Sequence, residues 1–165
     1  MRIILAIDPG TATTGYAILK KKAAGIELVS CGCITTPAKD SPAKRLLTIS
    51  KDLERLITKY HPQELVVEQL FFAKNTTTAM AVGQARGVVL LAGAKASLEI
   101  GEYTPLQVKQ AVTGFGQATK QQVQKMVKNI LHLEKVPRPD DAADAIAVGL
   151  CHLQTKYFIS KAVKN

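Results

Sequence analysis

The sequence predicts a single α/β domain in which a mixed five-stranded sheet carries helices on both faces. Three observations predict it: three strand-like runs open the chain, strands and helices alternate after them, and 165 residues suit one domain with a sizeable core. Early strands joined by short turns favour an antiparallel meander, whereas strand–helix–strand units favour parallel pairs with right-handed crossovers.

The first half of the chain is predicted to hold four strands and one helix. Proline and glycine end the first strand in the turn at residues 8–11, and a lysine-rich turn separates the second strand from the third. Ser41 and Pro42 suit the N-cap and first turn of a helix, and apolar residues recur at helical spacing up to Tyr60. The predicted strands are 2–8, 15–21, 26–35 and 64–68, and the predicted helix is 41–60.

The second half is predicted to be mostly helical. Small residues dominate a long segment after the loop at 69–75, and Thr104 with Pro105 repeats the cap-and-proline helix start. The predicted helices are 76–97, 104–112, 119–132 and 139–158, with one strand at 99–103. We assign residues 1–158 to one domain and expect the basic segment 159–165 to be a disordered tail.

The chain is strongly basic, with 22 Lys and Arg against 13 Asp and Glu and a net charge of +9. A cationic surface favours nucleic acid as the partner, although many ordinary surface lysines would produce the same total. Hydrophobic residues make up 47% of the chain and charged residues 21%, which is typical of a folded protein.

The cysteines and the apolar segments indicate a reducing, cytoplasmic location. Cys31 and Cys33 lack a second ligand pair for structural zinc, so we interpret them as small apolar residues. The short N-terminal apolar run reaches Asp8 at once, unlike a signal peptide, and the apolar segment 87–94 is too short to cross a bilayer. We therefore expect no membrane association.

Acidic residues occur where the predicted fold can bring them together. Asp8 and Glu68 each end a strand, and the carboxyl ends of parallel neighbours meet at one edge of the sheet. Asp144 shares a helix face with Asp141 at i, i+3, but Asp140 at i, i+4 would serve equally well. Each acid taken singly has an ordinary interpretation, as a helix N-terminal or solvated side chain.

Converging carboxylates repel one another and usually hold a hard divalent cation such as Mg²⁺ or Mn²⁺. Two such ions roughly 3.5–4 Å apart can drive in-line displacement at a phosphodiester. One acid must then bridge both ions, and Asp8 at the end of the central strand is our choice. An acidic metal site on a cationic body indicates an enzyme that cuts or rearranges nucleic acid.

Six short motifs together resemble the RuvC family of Holliday junction resolvases, within the ribonuclease H-like superfamily. The resemblance extends from Arg2 to about His152. Each motif is weak alone, but their order and spacing within this length are specific. They are Ile7-Asp8-Pro9-Gly10 with Thr14-Gly15-Tyr16, Glu68-Gln69 with Phe71 and Ala73-Lys74-Asn75, Gly83-Gln84-Ala85-Arg86-Gly87, Gln107-Val108-Lys109-Gln110, Gln122-Val123-Gln124, and Asp141-Ala142-Ala143-Asp144-Ala145.

The resemblance implies a ribonuclease H-like fold and a homodimeric endonuclease of recombination and repair. Such an enzyme nicks two opposing strands of a four-way DNA junction symmetrically, with two Mg²⁺ or Mn²⁺ ions in each active site. It works with a branch-migration motor of the RuvA and RuvB type. The family's four catalytic and metal-binding acids map onto Asp8, Glu68, Asp141 and Asp144, although some relatives carry His at the position of Asp141.

The resemblance also implies DNA contacts and a dimer. Phe71 would stack on an unpaired base, and such stacking contributes about 1–3 kcal/mol per base. The alternative is that Phe71 or Phe72 is a core residue at the end of a strand. Lys109 and Lys120 would contact the DNA backbone, and Lys74 and Arg86 are further candidates. Lys125 and Lys128 are interpreted as ordinary solvated lysines.

The predicted helix at 76–97 is our candidate for the dimer seam, because its alanines and glycines allow close approach. Replacing Ala85 with Trp should then produce monomers.

Three rival functions remain open at this point. The turn at residues 8–11, followed by Thr14 and Gly15, also resembles the phosphate-binding hairpin of actin-like phosphotransferases, which usually need two such domains. A DNA-binding module without catalytic activity is disfavoured, because bare carboxylates would repel phosphates. A ribonuclease H-like nuclease acting on RNA–DNA hybrids is compatible with the charge.

Overall fold

A computed structural model describes residues 2–23, 25–69 and 76–162 of the chain, with side chains described at 2–23, 25–69 and 79–156. Its elements follow the order expected from the sequence. They are β1 (Arg2–Asp8), β2 (Thr13–Lys22), β3 (Gly25–Thr35), α1 (Pro42–Tyr60), β4 (Glu64–Glu68), α2 (Thr76–Lys95), β5 (Glu99–Tyr103), α3 (Pro105–Thr113), α4 (Lys120–Ile130) and α5 (Asp140–Ala162).

The five strands form one mixed sheet in the order β3-β2-β1-β4-β5. β1 to β3 pair as an antiparallel meander, and β4 runs parallel to both β1 and β5. The predicted mixed sheet is therefore confirmed, with the parallel neighbours β1 and β4 at its centre.

Side chains of the central strands alternate between two cores, as the two-residue period of a strand requires. Ile4 and Ala6 of β1 face a core built with α3, α4 and α5. Leu5 and Ile7 face the opposite core, which α1 and α2 cover. Helices on both faces are thus confirmed. Among the described residues, none of the helices is both long and apolar enough to span a bilayer.

Side-chain caps start three of the helices where the sequence predicted them. Ser41 accepts a hydrogen bond from the backbone N–H of Lys44 at the start of α1. Thr104 and Thr119 each form a reciprocal capping box with a glutamine three residues later. These local interactions explain why the helix starts were predictable.

Two glycines let α5 approach the sheet closely. A Cβ atom at Gly149 would overlap Leu19 of β2, and a Cβ atom at Gly15 would overlap the carbonyl oxygen of Asp141. Gly15 therefore allows the first turn of α5 to touch β2 at the edge of the sheet. This contact fixes where the acidic residues of α5 lie.

Two expectations need correction. Helix α5 continues to Ala162, so residues 159–162 are helical rather than part of a tail that begins at 159. Ala85 of α2 is 0% exposed and packs in the core that α1 and α2 cover. Tryptophan at this position would disrupt that core, so the proposed Ala85→Trp experiment cannot test a dimer seam. The helix bearing Ala85 does have an exposed face, described below.

Candidate active site

Three elements bring acidic residues to one edge of the sheet. Asp8 is the last residue of β1 and Glu68 the last residue of β4. Ile7 and Val67, the residues before them, are partners in the parallel register, so the two acids follow neighbouring strand ends. Asp141 and Asp144 join them from the first turns of α5. This convergence is what the strand order predicted.

The carboxylates form a tight cluster. Oxygen atoms of Asp8, Asp141 and Asp144 all lie within 4.8 Å of one another. Glu68 lies beside them, since it repels Asp8 electrostatically and lines a cavity of about 200 Å³ together with Asp144. Such an arrangement of oxygen ligands suits a hard divalent cation.

The pKa values of the cluster record the electrostatic strain of bringing these acids together. Burial, followed by repulsion from Glu68, Asp144 and Asp141, raises the pKa of Asp8 to about 8. Burial and repulsion from Asp144 raise the pKa of Glu68 to about 7. Burial also raises the pKa of Asp144, against the opposing effect of Lys120. Without a cation, the site therefore retains protons near neutral pH.

The choice between Asp140 and Asp141, which spacing left open, is decided by the direction of each side chain. Asp141 belongs to the cluster, whereas Asp140 forms an ion pair with Arg138. Asp140 is thus engaged by its neighbour at the surface.

Two predicted lysines border the acids. The Lys120 Nζ lies 2.7 Å from Oδ2 of Asp144, and this hydrogen bond raises the pKa of Lys120. Lys109 lines the same cavity, and its charge lowers the pKa of Glu68 against the larger effect of burial. Positive charge therefore stands where the phosphate of a polyanion would approach the acids.

The structure gives less information about the other three residues predicted to contact DNA. Arg86 forms an ion pair with Glu102 of β5, and its Nε is buried without a hydrogen-bond partner among the described residues. Phe71 and Lys74 lie outside the described residues. The roles of all three residues in DNA binding stay predictions.

Two features near the site were not predicted from the sequence as supports for it. Gly15 makes room for Asp141, and its signal was a glycine inside an apolar strand, where a close backbone approach is a common cause. Cys33 pairs in register with Gly15. Burial raises the pKa of the Cys33 thiol, and the nearby charges of Asp141 and Asp8 raise it further. No local sequence pattern predicted that Cys33 would lie near the acidic cluster.

Comparisons with known proteins identify the family of the chain. Residues 4–152 match the family model described as crossover junction endodeoxyribonuclease RuvC. The protein of that name from Natranaerobius thermophilus is 55% identical over 152 residues, which cover 92% of this chain and 94% of the relative. Its namesake from Halothermothrix orenii is 53% identical over 150 residues, which cover 91% of each chain.

Solved structures support the same assignment. Thermus thermophilus RuvC in complex with a Holliday junction substrate aligns with a TM-score of 0.88 and 32% identity, over 94% of this chain and 95% of that one. The yeast mitochondrial Holliday junction resolvase Ydc2 aligns with a TM-score of 0.69 over 98% of this chain and 83% of its own, and at 13% identity it supports the fold alone. Family model, sequence identity and fold agree, and the chain belongs to the crossover junction endodeoxyribonuclease RuvC family.

Proposed function

We propose that this protein is a structure-specific endonuclease that resolves four-way DNA junctions in recombination and repair by hydrolysing phosphodiesters on two opposing strands. The observation that carries the proposal is the acidic cluster, placed at the carboxyl edge of a sheet in a chain with a net charge of +9. A pocket of bare acids would repel DNA, so its presence on a cationic protein favours a cation-assisted cut over simple binding.

The residues present fit Mg²⁺ or Mn²⁺. Carboxylate oxygens are the ligands these hard cations prefer, and one oxygen atom from each of three acids lies within 4.8 Å of the other two. Asp8, Glu68, Asp141 and Asp144 would hold two such ions. Bound cations would supply Lewis-acid activation of a water molecule and stabilisation of the leaving oxygen.

The chain's own residues would position the DNA strand. Lys109 and Lys120 add positive charge at the rim of the cavity and can hold phosphate oxygens against the acids. The hydrogen bond from Lys120 to Asp144 keeps that ammonium group in place before DNA arrives. Val108, Val123 and Ala147 line the same cavity, and their apolar side chains exclude water from part of it.

The proposal includes a homodimer, because two identical sites suit the near two-fold symmetry of an opened junction. It also includes a cytoplasmic location and cooperation with a branch-migration motor of the RuvA and RuvB type. The resemblance to the family supports these parts of the proposal.

The test is a substrate panel with purified protein. A labelled four-way junction, a linear duplex and an RNA–DNA hybrid are each incubated with and without Mg²⁺, and products are resolved on denaturing gels. We expect paired nicks in the junction, only with Mg²⁺. Preferential cutting of the hybrid would contradict the proposal in favour of a ribonuclease H-like activity on RNA.

The first prediction is that Asp8→Asn binds the junction but does not nick it. The substitution removes the carboxylate at the centre of the cluster while keeping its shape. Asp52→Asn on α1 is the matched control, because Asp52 pairs with Arg55 at the surface. Gel-shift and nicking assays on the same samples measure both properties. Nicking by Asp8→Asn at the rate of the control would refute the role assigned to Asp8.

A further inference from the structure

A second cavity, of about 390 Å³, lies on the other side of α4 from the acidic cavity. Lys120 and Val123 line the acidic cavity, whereas Lys125, Met126 and Asn129 line the second one. At 100° per residue, the mean directions of these two sets of side chains lie about 140° apart around the helix axis. We call the second cavity, formed by these three residues with Phe115 and Ala118, the α4 groove.

Phe115 forms an exposed aromatic wall of the α4 groove. The side chain is 59% exposed, although the chain contains only four Phe and no Trp. Its backbone is held by two hydrogen bonds: its N–H donates to the Thr113 hydroxyl at 3.1 Å, and the Ala118 N–H donates to its carbonyl at 3.1 Å. The ring is thus exposed on an ordered turn.

Among the described cavities named here, only the α4 groove has a cationic side chain in its lining and no acidic one, since Glu54 lines a cavity on α1 and Glu68 and Asp144 line the acidic cavity. Residues 104–133, which include α3 and α4, contain four lysines and no acidic residue. Lys125, which the sequence alone suggested to be an ordinary solvated lysine, lines the α4 groove itself. A larger cavity of about 620 Å³ lies on α3 beside Leu106, but none of the described residues that line it is charged. A polyanion is therefore the occupant that the α4 groove favours, and the same helix already borders the candidate active site.

We propose that the α4 groove holds one unstacked nucleotide of the DNA substrate, with its base against Phe115 and its phosphate at Lys125. This inference rests on the proposed function, because it assumes DNA at the acidic cavity. A volume of about 390 Å³ lies within the range of pockets that hold small ligands. Stacking on an aromatic side chain accepts any base, so the contact would hold DNA without reading its sequence.

The position of the nucleotide follows from the width of the helix. The two cavities are separated by α4, and a helix with its side chains is about 10–12 Å across. At about 3.4 Å per base step, the α4 groove would receive a nucleotide about three steps from the cut phosphate.

The experiment measures binding of a four-way junction by fluorescence anisotropy with Mg²⁺ present, and every protein compared, including the reference with wild-type Phe115, carries Asp8→Asn so that no strand is cut. Phe115→Ala should weaken binding roughly five-fold to hundredfold, the loss expected for one stacked base, and Phe115→Tyr should retain the affinity. Leu106→Ala is the matched control, because Leu106 is also 59% exposed and lines the uncharged cavity. Lys125→Gln should lower the slope of log affinity against log salt by about one, whereas Lys51→Gln on α1 should not.

An abasic-site scan then separates a nucleotide contact from a structural role. Junctions carry a single abasic site at each of six steps on either side of the cut, and each is measured with the Asp8→Asn reference and with its Phe115→Ala variant. If Phe115 holds a base, the penalty of Phe115→Ala disappears at one position, about three steps from the cut. An equal penalty at every position, or no penalty relative to Leu106→Ala, would overturn the inference. A reference protein that binds no junction would instead overturn the proposed function, and this inference with it.

Discussion

At the scale of the residue, Asp8 destabilises the folded state of the metal-free protein, and a bound cation would remove this effect. Its pKa is about 8 in the folded chain, against an ordinary value of 3.8, because burial and three neighbouring acids disfavour the charged form. The folded state therefore holds a proton over a pH range in which the unfolded chain has released it. Folding without metal thus becomes less favourable as the pH rises from about 4 to about 8.

We expect Asp8→Asn to raise the free energy of unfolding of the metal-free protein at neutral pH. This increase in the free energy of unfolding should be absent below about pH 4, where Asp8 of the wild type is protonated in both the folded and the unfolded state. It should grow by at most about 1.4 kcal/mol for each pH unit up to about 8. Urea denaturation in EDTA at pH 4 and pH 7.5, with Asp52→Asn as control, measures it. Equal stability of wild type and Asp8→Asn at pH 7.5 would contradict the claim that the charged form of Asp8 destabilises the metal-free fold.

We expect Mg²⁺ binding to weaken as the pH falls, because the cation must displace protons from Asp8 and Glu68, whose pKa values are about 8 and about 7. The Mg²⁺ concentration that gives half-maximal nicking should therefore rise steadily from pH 8 to pH 6. Excess Mg²⁺ should restore much of the rate lost at pH 6. A rate at pH 6 that added Mg²⁺ does not change would mean that another group limits the reaction.

At the scale of the element, a buried polar network ties α5 to the sheet at the end away from the acids. Glu64 at the start of β4 contacts His152 of α5, and both residues are 2% exposed. The Tyr103 hydroxyl lies 2.9 Å from Nδ1 of the same histidine, and Lys156 lies 2.9 Å from Glu64. The network holds α5 against β4 and β5, and thereby keeps the acids of α5 opposite Glu68.

We expect Glu64→Gln to destabilise the protein by about 3 kcal/mol at pH 7, the cost of breaking a buried charged network. Burial raises the pKa of Glu64, but hydrogen bonds from His152 and Lys156 outweigh it and hold that pKa below the ordinary 4.5. The stabilisation is therefore present above about pH 4.5 and is lost as the pH falls through the lower folded value.

Urea denaturation at pH 7 and pH 3.5 measures this effect. Glu54→Gln is the control, because Glu54 is exposed on α1. If Glu64→Gln lowers the free energy of unfolding only slightly, or by the same amount at both pH values, the stabilising role assigned to the network is contradicted.

At the scale of the whole molecule, α2 presents an apolar face that the described residues of the same chain leave uncovered. Met80 is 70% exposed and Leu91 56% exposed, with exposed Gly87 between them at helical spacing. A Cβ atom at Gly87 would meet no described atom within 4 Å. This face, rather than the side that carries Ala85, is the surface on which we expect the second subunit.

We expect Leu91→Glu and Gly87→Arg to yield monomers, because each places charge in an apolar seam without a clash inside the subunit. Arginine also has a higher helix propensity than glycine, so Gly87→Arg should not unfold α2. Light scattering measures the mass, with Val29→Glu on the edge strand β3 as control, since Val29 is also exposed. A dimer mass for both variants would exclude this face of α2 as the seam.

Local chemistry explains what was predictable from the sequence alone. The alternation of β1 between two cores, the capped starts of α1, α3 and α4, and the acids at the ends of β1 and β4 are each set by residues close together in the chain. Periodicity, side-chain caps and strand ends are short-range features, so sequence patterns carry them. The antiparallel meander and the parallel pairing of β1 with β4 then followed from general rules of connection.

Spacing could not decide which way each helix turns its side chains, and although the family resemblance selected Asp141 over Asp140, only the tertiary structure supplies the physical reason. The rotation of α5 directs Asp141 rather than Asp140 to the cluster, and that rotation is set by contacts of Gly15 and Gly149 with residues far along the chain. Packing on the sheet likewise turned Ala85 of α2 inward, and paired Glu64 with His152 across 88 positions. Helical spacing determines which residues share a face, but the partner that this face meets depends on packing between distant segments.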